Sequence, residues 1–190
     1  RSEVGVREKW FERVLADSIN LPGSMPEKRK GDEITVQTNW TGSLYDSSYY
    51  YNPKMAPYRE EGNVKFPFFL TPVRHYVGVA WYQKEVLIPA SWKGKRVVLS
   101  LERPHIMTTL WVDDKEVGSC NSFSVPHVYD LTALLSKGKH RLTVRVDNTL
   151  REEYNVGKDS HSLTDQTQGN WNGIVGKMTL TAGENNRLED

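Results

Sequence analysis

One cysteine, Cys120, is all the thiol chemistry in 190 residues. No intrachain disulfide and no cysteine-based zinc site can be built from it. A lone cysteine reads first as a small buried hydrophobe. The five histidines, at 75, 105, 127, 140 and 161, contain no H-x-x-x-H pair. No catalytic metal is expected from that set, and no cofactor is implied. Charge of one sign is also missing: Lys+Arg 25 against Asp+Glu 24 leaves +1. The chain therefore lacks the basic footprint of a nucleic-acid binder. No apolar run approaches the ~20 residues of a membrane-spanning helix, so no membrane partner is expected. The first residues, Arg1 to Lys9, are rich in charge and hold no apolar signal-peptide core.

What is present is aromatic. Phe, Trp and Tyr make up 11% of the chain, with six Trp and nine Tyr. In a globular composition this points to a β fold, a sugar-facing surface, or both. Trp10, Phe11, Val14, Leu15 and Ile19 are spaced as one face of a short helix, which Leu21-Pro22-Gly23-Ser24 ends. Ile34, Val36 and Thr38 alternate as a strand would. From Trp40 to His75 the chain is irregular, with Tyr49, Tyr50, Tyr51, Tyr58 and Phe66 among Pro53, Pro57, Pro67 and Pro72. Prolines at that spacing forbid a long helix, and the aromatics argue against disorder. A packed loop that covers a sheet or lines a cleft is predicted. The tyrosines form either a stacking platform or a satellite cluster under it.

From Val79 onward the pattern is period two. Ala80, Tyr82, Lys84, Val86 and Ile88 share one strand face, and Trp81, Gln83, Glu85 and Leu87 the other. Further strands follow over Val97–Leu101, Thr109–Val112 and Leu142–Val146, with a last one at Met178–Ala182. Asp113-Asp114-Lys115 reads as a hairpin turn. Asp130 is placed to cap a short helix from Leu131 to Leu135. Many short strands with turns between them make a β-sandwich or jelly roll.

These segments also come in a telling order. Gly78-Val79-Ala80-Trp81-Tyr82 precedes Ile88-Pro89. Leu110-Trp111-Val112-Asp113-Asp114-Lys115 follows, then Tyr129-Asp130-Leu131-Thr132. Leu142-Thr143-Val144-Arg145-Val146-Asp147-Asn148 and Gly169-Asn170-Trp171-Asn172-Gly173-Ile174 complete the series. The order resembles the N-terminal sugar-binding domain of glycoside hydrolase family 2, the β-galactosidase, β-mannosidase and β-glucuronidase family. The resemblance implies one galactose-binding-like jelly-roll domain over residues 1–190, all-β with one or two short helices. It implies a β-glycoside as ligand, with β-galactoside the first expectation. It further implies a catalytic domain of the same parent chain as partner, and a bacterial periplasmic or secreted setting. The family's two catalytic glutamates lie in a (β/α)₈ barrel of ~250 residues, and no βα alternation appears here. The chain by itself is therefore not expected to hydrolyse a glycoside, while its parent is expected to be a retaining hydrolase.

The residues that could meet sugar lie in two segments. Ser160–Asn172 is dense in amides and hydroxyls around one indole, the groups that satisfy sugar hydroxyls and stack on a pyranose. In the family an Asp six residues before the Gly of Gly-Ile contacts the sugar. Here that count reaches Thr167, with Asp165 two residues earlier, so Asp165, Gln168 and Asn170 all stand as candidates. Trp171 either stacks on sugar or packs with Asn172 against the last strand. In Pro72-Val73-Arg74-His75-Tyr76, Arg74 or His75 could bind a hydroxyl or carboxylate. The plainer reading there is a surface salt bridge and a loop histidine. Three functional classes follow: a non-catalytic domain that rims a hydrolase cleft, an autonomous carbohydrate-binding module, or a spacer with no sugar contact.

Overall fold

The computed structural model describes residues 3–40, 47–66, 71–151 and 169–184. The chain divides into two compact units. The first comprises Arg1–Gly23, Gly78–Asp147 and Asn172–Asp190, and the second Ser24–Val77 and Asn148–Trp171. A two-residue strand β1 (Gly23–Ser24) lies where the chain leaves the first unit for the second. No helix among the described residues is long and apolar enough to cross a membrane.

The first unit is the all-β sandwich that the sequence predicts. Its larger sheet is antiparallel, with strand β2 (Val79–Ile88) beside β8 (Gly138–Asp147), then β5 (Met107–Val112) and β6 (Lys115–Cys120). The second sheet runs β10 (Met178–Gly183), β3 (Arg96–Leu101), β7 (His127–Asp130). A short pair, β4 (Pro104–His105) with β9 (Gly173–Ile174), adds to these. The buried face follows the period-two pattern: Ala80, Tyr82 and Ile88 from β2 are buried with Leu110, Val144, Val146, Leu99 and Leu101. The β5–β6 turn falls at Asp113, whose φ of 55° is a left-handed conformation that Asp tolerates.

The other face of the larger sheet carries an aromatic layer. Trp81 and Trp111 stack with centroids 5.1 Å apart. The N-terminal segment lies over them. Phe11 stacks flat on Trp111 at 5.3 Å, and Trp10 meets Trp81 edge-on at 6.0 Å. Gln83 fixes the segment's backbone: its amide donates to the carbonyls of Trp10 and Arg13, and its oxygen accepts from the Leu15 amide. The helix expected from Trp10 to Ile19 is accordingly not formed. There is one turn of α-helix, α1 (Val4–Arg7), and one 3₁₀ turn at Trp10–Glu12. Lys9 between them takes a left-handed φ of 52°, which separates the two turns, and extended backbone at Arg13 (φ −114°, ψ 158°) ends the second inside the expected helix. The break lets consecutive Trp10 and Phe11 both reach the sheet, which a single helical face would not allow.

Two other local expectations yield to side-chain hydrogen bonds. Residues 34–38 form no strand. The Thr38 hydroxyl accepts from the Thr35 amide, and the Thr35 hydroxyl from the Gln37 amide, closing a turn instead. Leu131–Leu135 is a turn and not a helix. Asp130 does cap it, accepting from both the amide and the hydroxyl of Thr132. Those bonds, with the Arg96 guanidinium, hold the Asp130 carboxyl down to about 2.

The second unit has its own small core, as the packed-loop reading predicts. Trp40, Tyr49 and Phe66 are buried together, with Ile34, Met55 and Tyr58 against them. Helix α2 (Ser48–Tyr51) and a 3₁₀ stretch, Pro53–Arg59, frame that cluster. Tyr49 is 2% exposed and stacks on Phe66, while its hydroxyl donates to the Tyr58 carbonyl. It is therefore core and not part of a stacking platform.

Two measurements test these layers. Gly5 sits against Trp81, and a Cβ there would come within 2.6 Å of the indole. The ring is held between Trp10 and Trp111 and cannot swing away. Gly5→Ala should destabilise the chain by about 1–3 kcal/mol, as overpacking does, and lower the urea midpoint. The second concerns His127, which is fully buried. Its Nε2–H donates to the Ser122 carbonyl, its Nδ1 accepts from the Thr108 hydroxyl, and Tyr129 donates to that same hydroxyl. Burial pushes the His127 pKa below the ordinary 6.5 and the Tyr129 phenol up to about 12. Below pH 6.5 the unfolded chain binds a proton that the folded one resists, so stability falls as pH falls. The urea midpoint should drop between pH 7.5 and 5.0, and the drop should shrink in His127→Gln.

Candidate functional site

The candidate segments that the structure describes both run through the second unit. β8 ends at Asp147, and the next residue, Asn148, is fully buried. Its amide nitrogen donates to the Tyr76 carbonyl at 2.8 Å and to Asn170 Oδ1 at 3.0 Å. Asn170 returns the contact, donating from Nδ2 to the Asn148 carbonyl at 2.9 Å. Two side-chain amides thereby serve backbone that no strand ladder satisfies. They fix residues 169–171 to the segment at Tyr76.

This pairing defines what Asn170 does. It is 6% exposed, and both ends of its amide are engaged by Asn148. It holds the segment that carries Trp171, and Trp171 itself is half-buried. Asn172, in the first unit, is another fully buried amide. It donates to the carbonyls of Gly78 and Val146 and accepts from the Tyr82 hydroxyl. Asp165 and Gln168 lie outside the described residues.

Arg74 and His75 take the plainer of their two expected roles. The Arg74 guanidinium pairs with Glu33 at 2.9 Å, and the Glu33 side chain is 79% exposed. His75 exchanges backbone hydrogen bonds with Asp32 in both directions, and its ring sits edge-on to Trp40 at 5.3 Å. It supports the small core.

Between these segments the second unit has a cavity of about 270 Å³, lined by Glu27, Trp40, Pro72, Gly169, Asn170 and Trp171 among others. Trp40 is 3% exposed and forms part of the wall. Glu27 belongs to a reciprocal turn: its amide donates to the Ser24 hydroxyl, and the Ser24 amide donates to its carboxylate. This is the S-x-x-E pairing that usually starts a helix. The Lys28 ammonium at 2.8 Å, and then the Ser24 amide, hold the Glu27 carboxyl below its usual range. Among the described residues no group of three or more His, Cys, Asp or Glu could hold a metal ion.

A family model described as the sugar binding domain of the glycosyl hydrolases family 2 matches residues 1–182. The chain belongs to that family. Relatives within it include the beta-glucuronidase of Rattus norvegicus, 30% identical over 84 residues, which cover 41% of this chain and 13% of that protein. The beta-glucuronidase of Canis lupus familiaris is 30% identical over 110 residues, covering 50% of this chain and 17% of its own. A solved beta-glucuronidase of an uncultured Clostridium sp. is similar over 80% of this chain and 20% of its own, at 25% identity and a TM-score of 0.50. A family 2 member from Bacteroides cellulosilyticus shares the fold over 88% of this chain and 17% of its own, at 19% identity and TM-score 0.51. The chain thus spans a fifth or less of the length of these family 2 proteins. The relatives named are beta-glucuronidases, whereas the sequence alone put β-galactoside first.

Sequence reasoning missed three members of the site. Glu27 was signalled by Ser24-x-x-Glu27, and Asn148 by an amide directly after a strand. Trp40 stood inside Asn39-Trp40-Thr41, which matches a glycosylation sequon. The Asn148–Asn170 pair gives a direct test. Asn170→Ala leaves buried polar groups of Asn148 without this partner, a cost of about 1–3 kcal/mol. Denaturant unfolding should show that loss, and amide exchange should quicken at residues 169–171.

Proposed function

We propose that this chain is the non-catalytic sugar-binding domain of a β-glucuronidase-like glycoside hydrolase. It packs on a catalytic domain of the same parent protein and offers Asp165, Gln168 and Trp171 as candidate contacts at the substrate cleft, with Asn170 holding the segment that carries Trp171. The match of the family model over residues 1–182 carries this reading, and the beta-glucuronidases among its relatives favour β-glucuronide over β-galactoside. Bond cleavage in a retaining glycosidase needs two carboxyl groups about 5–5.5 Å apart across one sugar subsite. In this reading the catalytic domain supplies them. The role left to this domain is to add binding energy at the cleft rim, which raises kcat/KM without touching the bond that breaks. A bacterial periplasmic or secreted location belongs to the same proposal and rests on the family resemblance alone.

Hydrolysis of aryl β-glucuronide, β-galactoside and β-mannoside tests it, measured on the 190-residue chain and on the longer protein that carries it. The chain alone should turn over none of the three, and the longer protein should favour the glucuronide. Turnover by the chain alone, or a longer protein that prefers galactoside or mannoside, would overturn the proposal.

A further inference from the structure

An edge strand presents a row of backbone donors and acceptors to any chain that can pair with it. Among the described residues the two sheets of the sandwich have four edges, at β2, β6, β7 and β10. Three of them carry the usual deterrents to pairing. β2 has Lys84 and Glu85 at its middle, and β6 opens with Lys115 and Glu116. β7 is only four residues long, follows Pro126 and ends at Asp130. β10 has none of these. From Met178 to Gly183 it reads Met-Thr-Leu-Thr-Ala-Gly, without charge or proline. β3 pairs with one side of β10, and among the described residues no strand pairs with the other.

The sandwich core also opens at this edge. Met178 stands opposite Leu101, Leu180 opposite Leu99 and Ala182 opposite Val97, and residues directly opposed share a face of the sheet. Leu101, Leu99 and Val97 are 2%, 6% and 2% exposed. Met178 is 37% exposed, and Leu180 and Ala182 are half-buried. The apolar face that is closed on β3 therefore reaches solvent at β10, and one more strand would close it. Exposed charges of opposite sign flank the strand, with Lys177 before it and Glu184 after it.

We propose that β10 pairs with β10 of a second copy of this chain, antiparallel about a two-fold axis, so that two three-stranded sheets become one of six strands. An edge strand bonds outward through alternate residues, so residues of like parity must stand opposite each other. With Leu180 opposite its own copy, Met178 opposes Ala182 and Thr179 opposes Thr181. The apolar residues then form one continuous face, and the threonines pair on the other, a favourable cross-strand combination. Centring the pair on Thr181 would instead set Met178 against Glu184. The antiparallel pair brings Lys177 of one copy to the same end as Glu184 of the other, twice by symmetry. A parallel pair would set Lys177 beside Lys177 and Glu184 beside Glu184. The strand is thus complementary to itself in backbone, apolar face and charge, which is what a closed two-fold contact requires. This inference goes beyond the reading of the chain as a family 2 domain and does not depend on it.

Sedimentation equilibrium of the 190-residue chain tests it, together with cross-linking that reads the register. The chain should form dimers with a Kd of about 100 µM or tighter. Leu180→Cys, in a Cys120→Ser background, places two thiols on opposed residues about 4.5–5.5 Å apart at Cα, within disulfide reach. It should link two chains under mild oxidation. Met178→Cys should not, because its own copy stands four residues along the partner strand, about 13 Å away. Lys177 and Glu184 are exposed, so changing them leaves the core untouched. Lys177→Glu should weaken the dimer at least about threefold, by exchanging two exposed attractions for repulsions, and adding Glu184→Lys should restore it. A chain that stays monomeric at about 1 mM, linkage at 178 as ready as at 180, or a Kd unmoved by charge reversal would each overturn the proposal. So would slow amide exchange at 178–183 in a longer protein that remains monomeric, which would assign this edge to a strand of the parent.

Discussion

Buried backbone must be hydrogen-bonded, and where this chain leaves its strands it meets that demand with asparagine side chains. An amide carries a donor and an acceptor on one short rigid arm, so it can stand in for a missing strand neighbour. Asn148 does this one residue after β8 ends, reaching the Tyr76 carbonyl and Asn170. Asn170 closes the exchange on the Asn148 backbone. Asn172 does the same in the sandwich, reaching Gly78 and Val146. Without these bonds the buried carbonyls at the strand ends would each carry a desolvation cost of about 1–3 kcal/mol. The position of Trp171, between two such residues, follows from them.

A second constraint acts within the first unit, on one face of the larger sheet. Two adjacent indoles, Trp81 and Trp111, are too large to leave in water and too flat to bury against another strand layer without a partner of similar shape. Phe11 and Trp10 supply it, and Gln83 fixes the covering backbone at three points. The cover has little regular structure of its own, since most of its stabilisation comes from contact with the sheet. That explains why a segment with helical spacing of apolar residues forms only isolated turns. Propensity gives way to tertiary packing when two neighbouring side chains must point the same way.

What could be read from the sequence divides along the same line. Strand β2, the β5–β6 hairpin, β8 and β10 were all legible, because period two is a local signal and survives in one strand taken alone. The packed tyrosine cluster was legible from aromatic density among prolines. Illegible were the elements decided by a single competing hydrogen bond. The hydroxyls of Thr35 and Thr38 replaced a strand with a turn. Asp130 and Thr132 closed a turn where a cap and an apolar run pointed to a helix. At the site, Asn170 and Trp171 were named from composition, but the partner that fixes them, Asn148, stands 22 residues away from Asn170. No local pattern connects two asparagines at that distance. Arg74 illustrates the opposite case. Its plain reading needed only one exposed carboxylate within reach, which Glu33 supplies, and such a surface pair contributes no more than about 1 kcal/mol.

The contrast between fold and site bears on how sugar recognition is built here. A jelly-roll sandwich by itself commits to no ligand, and the strands of this one spend their side chains on the core and on the aromatic layer. The groups suited to sugar therefore have to come from the irregular unit, where backbone geometry is set by side chains and not by a ladder. That arrangement has a physical cost, because an irregular segment is precise only if its own hydrogen bonds are complete. Asn170 meets that cost: it lines the cavity yet spends its amide inward. One of the amides that composition marks as a sugar candidate, Asn170, is thus the residue that holds the segment carrying Trp171 in place.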